Sequence, residues 1–333
     1  MGKLFDVTYG RNVAAGLGAK VPNAIVVTQP EPWELLAPAW GAMPVAVVQA
    51  DSLEREDLEA LVRDLPPSDA IIGIGGGTAM DTAKWLHWRR KTPLHQVPSL
   101  PSVNACFTHM IAIREGGGVS YHGDAIPEMV YVDFELMRAA PPALLRGGIG
   151  DAFSCFTARF DWKFATDRGH DPAWDEAAAT ESLRIVDEVE ALAPQIHERT
   201  DEGIERLMEL HRKIGKMCDD YGHSRFEEGS EHFVAYTFEH VTGRTIMHGE
   251  LVSLGVLMMS TLQGNDPERA RRIVASAGVR HRPEDLGIQP GELEATLREL
   301  RPFVERQGLW YSSINEMEIG EAEIARAVAA LDF

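Results

Sequence analysis

Cysteine is scarce in this chain. The three cysteines, Cys106, Cys155 and Cys218, are too few and too scattered over 333 residues for a disulfide framework. None forms a Cys-x-x-Cys pair, which removes a thiolate zinc site from consideration. Long hydrophobic runs are absent as well, since no stretch of about 18 apolar residues offers a membrane span. The opening Met-Gly-Lys-Leu-Phe-Asp has no long apolar core of the kind a signal peptide carries, so a cytoplasmic protein is expected. Positive charge is in short supply: 32 Lys and Arg face 51 Asp and Glu, a formal net charge of −19. Nucleic acid and anionic membranes bind concentrated Lys and Arg, so neither is an expected partner. A small anionic substrate stays open, because the local field inside a cleft outweighs net charge.

Apolar residues are plentiful, at 44% of the chain, and the length suits two domains or one large one. Over the first 145 residues short apolar runs alternate with amphipathic stretches. Strands are expected at Ala24–Thr28, 44–49, 70–74, Leu94–Pro98, 109–113 and Met129–Asp133, with helices at 53–63 and 78–89. Such alternation predicts a mostly parallel sheet. At Gly147-Gly148-Ile149-Gly150 the pattern changes. Beyond it helices are expected at 152–166, 172–193, Asp201–Tyr221, 226–241, 250–263, Pro267–Ala277, 290–307 and 320–331. The expected fold is an α/β N-terminal domain with a mostly parallel sheet over 1–147 and an all-α C-terminal domain over 148–333. A ligand cleft between the two is expected.

The most informative stretch runs from the strand at 70–74 through Gly75, Gly76 and Gly77 into a helix carrying Asp81 and Lys84. Bare backbone at a helix N-terminus presents N–H groups to a phosphate. A Walker A loop is excluded, because Thr78 follows the glycines where Gly-Lys-Ser/Thr is needed. The G-x-G-x-x-G fingerprint fails too: Gly73 and Gly75 fit, but the third position is Thr78. The motif follows roughly the third strand, whereas the ordinary fingerprint follows the first, which here ends in Thr28-Gln29-Pro30. A tight turn without a ligand is the bland alternative, and Asp81 and Lys84 weigh against it.

Three residues are candidate metal ligands. Asp151 follows Gly148-Ile149-Gly150 at a helix start, His232 lies in Gly-Ser-Glu-His, and His248 lies in Met-His-Gly-Glu. Each has an ordinary use: a first-turn aspartate complements the helix dipole, and a lone histidine beside an apolar helix is commonly packed or capping. With 12 histidines, pairs also arise by chance. Together, one carboxylate and two imidazoles make a three-ligand set with an open position, as catalytic zinc requires.

In combination these motifs resemble the superfamily of metal-dependent polyol dehydrogenases. It contains glycerol dehydrogenase, glycerol-1-phosphate dehydrogenase, iron-containing alcohol dehydrogenase and, more distantly, dehydroquinate synthase. Gly75-Gly76-Gly77-Thr78-Ala79-Met80-Asp81-Thr82-Ala83-Lys84 is similar to the family's Gly-Gly-Gly-Ser-x-x-Asp-x-Ala-Lys segment. Pro98-Ser99-Leu100-Pro101-Ser102 resembles its Pro-Thr-x-x-Ser loop, and 142–151 its domain junction. Ser224-Arg225, Gly229-Ser230-Glu231-His232 and His248-Gly249-Glu250 resemble the glycerol-1-phosphate dehydrogenase branch in particular.

The resemblance implies that Asp151, His232 and His248 hold one divalent metal, zinc first, with iron or nickel as alternatives. It implies that Gly75, Gly76 and Gly77 cradle the pyrophosphate of NAD or NADP. Gln29, Asp81, Lys84, Ser99, Ser102 and Thr108 fall on the cofactor side, Asn104 on the catalytic side, and a homo-oligomer is expected; for the proton relay, His240, His223 and bulk water are candidates that the sequence does not rank. The implied activity is NAD(P)-dependent oxidation or reduction of a small polyol or polyol phosphate, with the metal as Lewis acid for hydride transfer.

Departures from the family pattern bear on this. Asn104 stands where an aspartate often takes part in proton movement, and an amide cannot act as a base. Gln29 stands where an acidic residue often accepts from the adenosine ribose, which leaves NAD and NADP both open. Tyr236 replaces a further histidine of some iron-dependent members and favours a three-ligand zinc site. Asp151 as first ligand, and Arg114-Glu115-Gly116-Gly117-Gly118, argue against the dehydroquinate synthase branch. Arg225 and Lys163 are candidates for a substrate phosphate, with plain ion pairing as the alternative. Two further readings remain: a dehydroquinate synthase-like lyase with transient cofactor redox, and a catalytically decayed nucleotide-binding protein.

Overall fold

The computed structural model describes residues 5–101, 104–116 and 118–333. Among them, β1 (Val7–Gly10), β2 (Ala24–Thr28), β3 (Ala46–Gln49), β4 (Ala70–Gly75), β5 (Leu94–Pro98) and β8 (Met129–Asp133) form a six-stranded sheet. Its order is β1-β8-β5-β4-β2-β3, and every neighbouring pair is parallel. β2 and β4 are buried along their whole length, which is why they read as near-continuous apolar runs. Val26, Ile72, Ile74 and Val97 pack with Leu17, Leu36 and Trp40. A second cluster gathers Leu58, Trp85, Ile111, Ile113 and Ala125.

The segment expected as a strand at 109–113 does not join this sheet. It forms β6 (Ile111–Glu115), paired antiparallel with β7 (Gly118–His122). A parallel partner needs a crossover of about a dozen residues, and the short connection after Glu115 allows only a hairpin. β1 escapes a sequence reading because it is a four-residue, half-buried edge strand with no apolar run. The helix Pro30–Leu36 is hidden by its prolines, which are tolerated in a first turn. The helix expected at 172–193 spans Glu176–Glu198, started by Asp175, whose side chain accepts from the Ala178 N–H at 2.8 Å.

By its internal contacts the chain divides into two compact units, Met1–Leu145 with Ile204–Asp220, and Arg146–Gly203 with Tyr221–Phe333. Residues 204–220 thus cluster with the α/β unit, although the sequence reading set them beyond residue 147. Side chains of the helix Asp201–Tyr221 explain this: Arg212 Nε donates to the Phe5 carbonyl at 3.1 Å, and His211 Nε2 lies 3.1 Å from the Pro101 carbonyl.

In the helical unit, the helices Gly150–Thr166, Ser230–Thr242 and His248–Gln263 approach one another through glycines. A Cβ on Gly150 would lie 2.3 Å from the Gly249 carbonyl oxygen, and one on Gly255 only 2.4 Å from that of Glu231. No helix among the described residues is long and apolar enough to cross a membrane.

Candidate metal centre and nucleotide loop

After β2 the chain moves outward to β3, while after β4 it moves the other way to β5. The carboxyl ends of β2 and β4 therefore flank a topological switch point, where open α/β sheets bind ligands. Gln29 directly follows β2, and Gly75 ends β4 with φ at 147°. A Cβ on Gly75 would fall 1.9 Å from Gln29 Oε1, so the glutamine amide lies on the glycine loop itself. Gly76 caps the helix Gly77–Arg90 without any side-chain hydrogen bond, and no acidic residue stands in the first turn. The first-turn N–H groups have no intrahelical acceptor, and the dipole favours an anion there. Ser99 joins the loop by donating its N–H to the Gly75 carbonyl at 2.8 Å.

Asp81 and Lys84, expected on the cofactor side, form an ion pair with each other. Both are buried, and Lys84 Nζ lies 2.9 Å from Asp81 Oδ1. The same ammonium donates to the Ala105 carbonyl at 2.9 Å and the Met110 carbonyl at 2.5 Å, with Thr108 Oγ1 at 3.5 Å. Asp81 also accepts from the Ala112 N–H at 3.3 Å. Burial raises the carboxyl pKa of Asp81, and the lysine opposes that rise. The pair thus ties the segment 105–112 to the glycine-loop helix. Thr108 belongs to the same tie, its hydroxyl 3.4 Å from the Met110 carbonyl. Asn104 opens the short turn Asn104–Phe107, and Ser102 lies outside the described residues.

In the helical unit three residues far apart in sequence converge. Asp151 sits in the first turn of Gly150–Thr166, His232 in that of Ser230–Thr242, and His248 begins His248–Gln263. One ligand atom from each lies within 4.8 Å of the others. Nε2 of His248 is 3.4 Å and Nε2 of His232 is 3.9 Å from Asp151 Oδ1. Asp151 is 4% exposed, yet its Oδ1 has no hydrogen-bond partner among the described residues. A buried carboxylate oxygen left without a donor is costly, and a cation beside it removes the cost. One carboxylate and two imidazoles suit a divalent transition metal, so the residues present fit the group.

The electrostatics split the two histidines. Burial disfavours a charge on His232, but the hydrogen bond and charge of Glu231, with Asp151 and Glu228, outweigh it and raise the pKa to about 9. For His248 burial prevails over the attraction of Asp151, and the pKa falls. Glu228 was missed in the sequence. It accepts from the Tyr236 hydroxyl at 3.0 Å and from Ser224 Oγ at 2.7 Å, and the Tyr236 and His232 ring centroids are 6.0 Å apart.

His240 is not brought to this cluster. It lies exposed, two helical turns and about 12 Å of rise beyond His232, with its ring centroid 5.1 Å from that of Phe303 and its Nε2 3.4 Å from Arg306 Nη2. Arg225 is fully buried and donates through Nη2 to the carbonyls of Asp161 (3.2 Å) and Tyr311 (2.7 Å), while its Nε and Nη1 have no hydrogen-bond partner among the described residues. Lys163 pairs with Asp167 at the surface.

The structure thus combines a glycine loop at the switch point of a parallel sheet with an Asp-His-His cluster in a helical unit. Residues 39–141 match the family model described as iron-containing alcohol dehydrogenase. The chain is 27% identical over 289 residues to glycerol-1-phosphate dehydrogenase (NAD(P)+) of Hyperthermus butylicus, covering 84% of this chain and 81% of that one. It is 29% identical over 246 residues to the enzyme of the same name from Sulfolobus acidocaldarius, covering 73% and 69%. Its fold superposes on glycerol dehydrogenase from Schizosaccharomyces pombe with a TM-score of 0.70 at 21% identity, covering 99% and 90%. The chain is thus similar to iron-containing alcohol dehydrogenase over residues 39–141 and is glycerol-1-phosphate/glycerol dehydrogenase-like in sequence and fold.

Proposed function

We propose that this chain is an NAD(P)-dependent, metal-dependent oxidoreductase of a small polyol or polyol phosphate. The observation that carries the reading is the buried, unbonded Oδ1 of Asp151, faced by His232 and His248. A divalent ion held by these three residues, zinc in our reading, supplies a Lewis acid for a substrate oxygen, and the nicotinamide supplies the hydride acceptor or donor. The backbone N–H groups that follow Gly76 bind the pyrophosphate. Gln29 meets the adenosine ribose with an amide, which neither repels a 2′-phosphate nor binds a diol as a carboxylate does, so both cofactors are admitted. Tyr236 holds a proton on its phenol oxygen against Glu228, a hydroxyl–carboxylate pair suited to exchange with substrate. Asn104 can orient a substrate hydroxyl but cannot take its proton.

The names of the relatives support a polyol phosphate. A cytoplasmic homo-oligomer is part of the same proposal. The test is a nicotinamide absorbance assay of zinc-loaded protein with glycerol and glycerol 1-phosphate, using each cofactor. Turnover with either polyol is expected. Product formation without net absorbance change would move the chain to the lyase reading, and no reaction with any polyol would remove the substrate class.

A further inference from the structure

We propose that Glu231 is the positioning residue of the metal centre, fixing the His232 ring with its proton on Nδ1 and its lone pair on Nε2 toward Asp151. This rests on reading Asp151, His232 and His248 as ligands. Glu231 is fully buried, and its carboxylate is held from three sides. Oε1 accepts from the Gly229 N–H at 2.7 Å and lies 2.9 Å from His232 Nδ1. Oε2 accepts from Thr157 Oγ1 at 2.7 Å. A carboxylate offers only acceptors, so the imidazole nitrogen facing it must carry the hydrogen, and once the ring is neutral the other is left free to coordinate.

The partners of this carboxylate are placed to align the whole centre. Gly229 caps the helix that bears His232, and Thr157 stands on the helix that bears Asp151. The backbone carbonyl of Glu231 meets Gly255, on the helix that begins with His248. One residue therefore touches all three ligand-bearing helices and sets the tautomer of one ligand. A carboxylate behind a ligating histidine also strengthens it as a donor, and loss of such a partner costs about 10- to 100-fold in metal affinity.

The test uses the full chain, stripped of metal and titrated with zinc against a competing chelator. Glu231→Gln keeps the shape, and its Nε2 can donate to Thr157 Oγ1, but it no longer holds a charge against the ring. Expected is a metal-free protein that unfolds at nearly the wild-type temperature and zinc affinity lower by about 10- to 100-fold; in Glu231→Ala, which leaves no acceptor at Nδ1, the His232 ring read above about pH 9, where it is neutral, should show both tautomers by nitrogen NMR. Thr157→Val removes only the Oε2 bond and leaves the ring contact, so its loss of zinc affinity should be several-fold smaller. Wild-type zinc affinity in Glu231→Gln, or a single tautomer in Glu231→Ala, would overturn the proposal. So would an equal loss in Thr157→Val, which would reduce Glu231 to a tie between helices. If His232→Ala itself keeps full zinc affinity, the ligand reading has failed; if it loses zinc while Glu231→Gln does not, only the positioning role has.

Discussion

The nucleotide loop and the metal centre present their ligands with opposite parts of the chain. At the loop, β4 ends in glycines, the helix behind it has no side-chain cap, and the binding groups are backbone N–H groups. The side chains shown lying on Gly75 are the amide of Gln29 and the methyl of Ala79. At the metal centre the binding groups are three side chains from three helices, backed by a buried carboxylate. On the proposed reading, the first site works by the absence of atoms and should fail when one is added. The second depends on atoms being present and should fail when one is removed.

The sharpest way to break that contrast is Asp151→Ala. Zinc content should fall from about one ion per chain to none, read by elemental analysis, because two imidazoles alone do not make the site. The metal-free fold should survive, since Oδ1 makes no hydrogen bond to lose.

Next in size is Lys84→Met, which leaves Asp81 buried and unpaired. Breaking a buried pair costs about 3–5 kcal/mol, so the denaturant midpoint should drop strongly, and Asp81→Asn added to it should recover part of the loss. A stable Lys84→Met protein that has lost only cofactor affinity would return the lysine to the phosphate.

Gly75→Ala should weaken NAD(P) binding about tenfold or more and destabilise the fold by about 1–3 kcal/mol, the scale of a strained backbone residue. A methyl there collides with Gln29 and Ala79, at a φ of 147° that L side chains avoid. Cofactor titration and unfolding together check it.

The pH dependence follows from His232. Its pKa in the metal-free fold is about 9, raised from an ordinary 6.5. The stability it contributes is therefore complete below 6.5 and is lost as pH rises through 9. Zinc must displace that proton, so zinc affinity should climb with pH to about 9 and then level. Denaturation and zinc titration across this range read both effects.

The smallest change is expected from Gln29→Asp. It should shift preference from NADP toward NAD by about tenfold, as a carboxylate accepts from the ribose diol and repels a 2′-phosphate.

How much of this was legible in the sequence follows from how far each feature reaches along the chain. β2 and β4 were visible because burial on both faces leaves local apolar runs. The glycine loop was visible because its chemistry lies in consecutive residues. The ligand triad was a candidate from its residue types but a weak one, since its spacing carries no local signal, and the resemblance strengthened it. β1 was not visible, because an edge strand is defined by its partner β8, more than a hundred residues on. Asp81 and Lys84 were recognised as a motif, but their tie to 105–112 was not legible, because spacing does not tell which side of a helix that segment covers. Glu231 stood in plain view beside His232, yet its function depends on Thr157, 74 residues away.

The most direct measurement is nicotinamide turnover with glycerol and glycerol 1-phosphate by one preparation in three states: as zinc-loaded protein, after removal of zinc by a chelator, and after zinc is restored. Turnover should vanish on chelation, return with zinc, and stay absent in Asp151→Ala under all three conditions. Turnover that persists without metal, or in Asp151→Ala, would contradict the assignment of Asp151, His232 and His248 as the centre of the reaction.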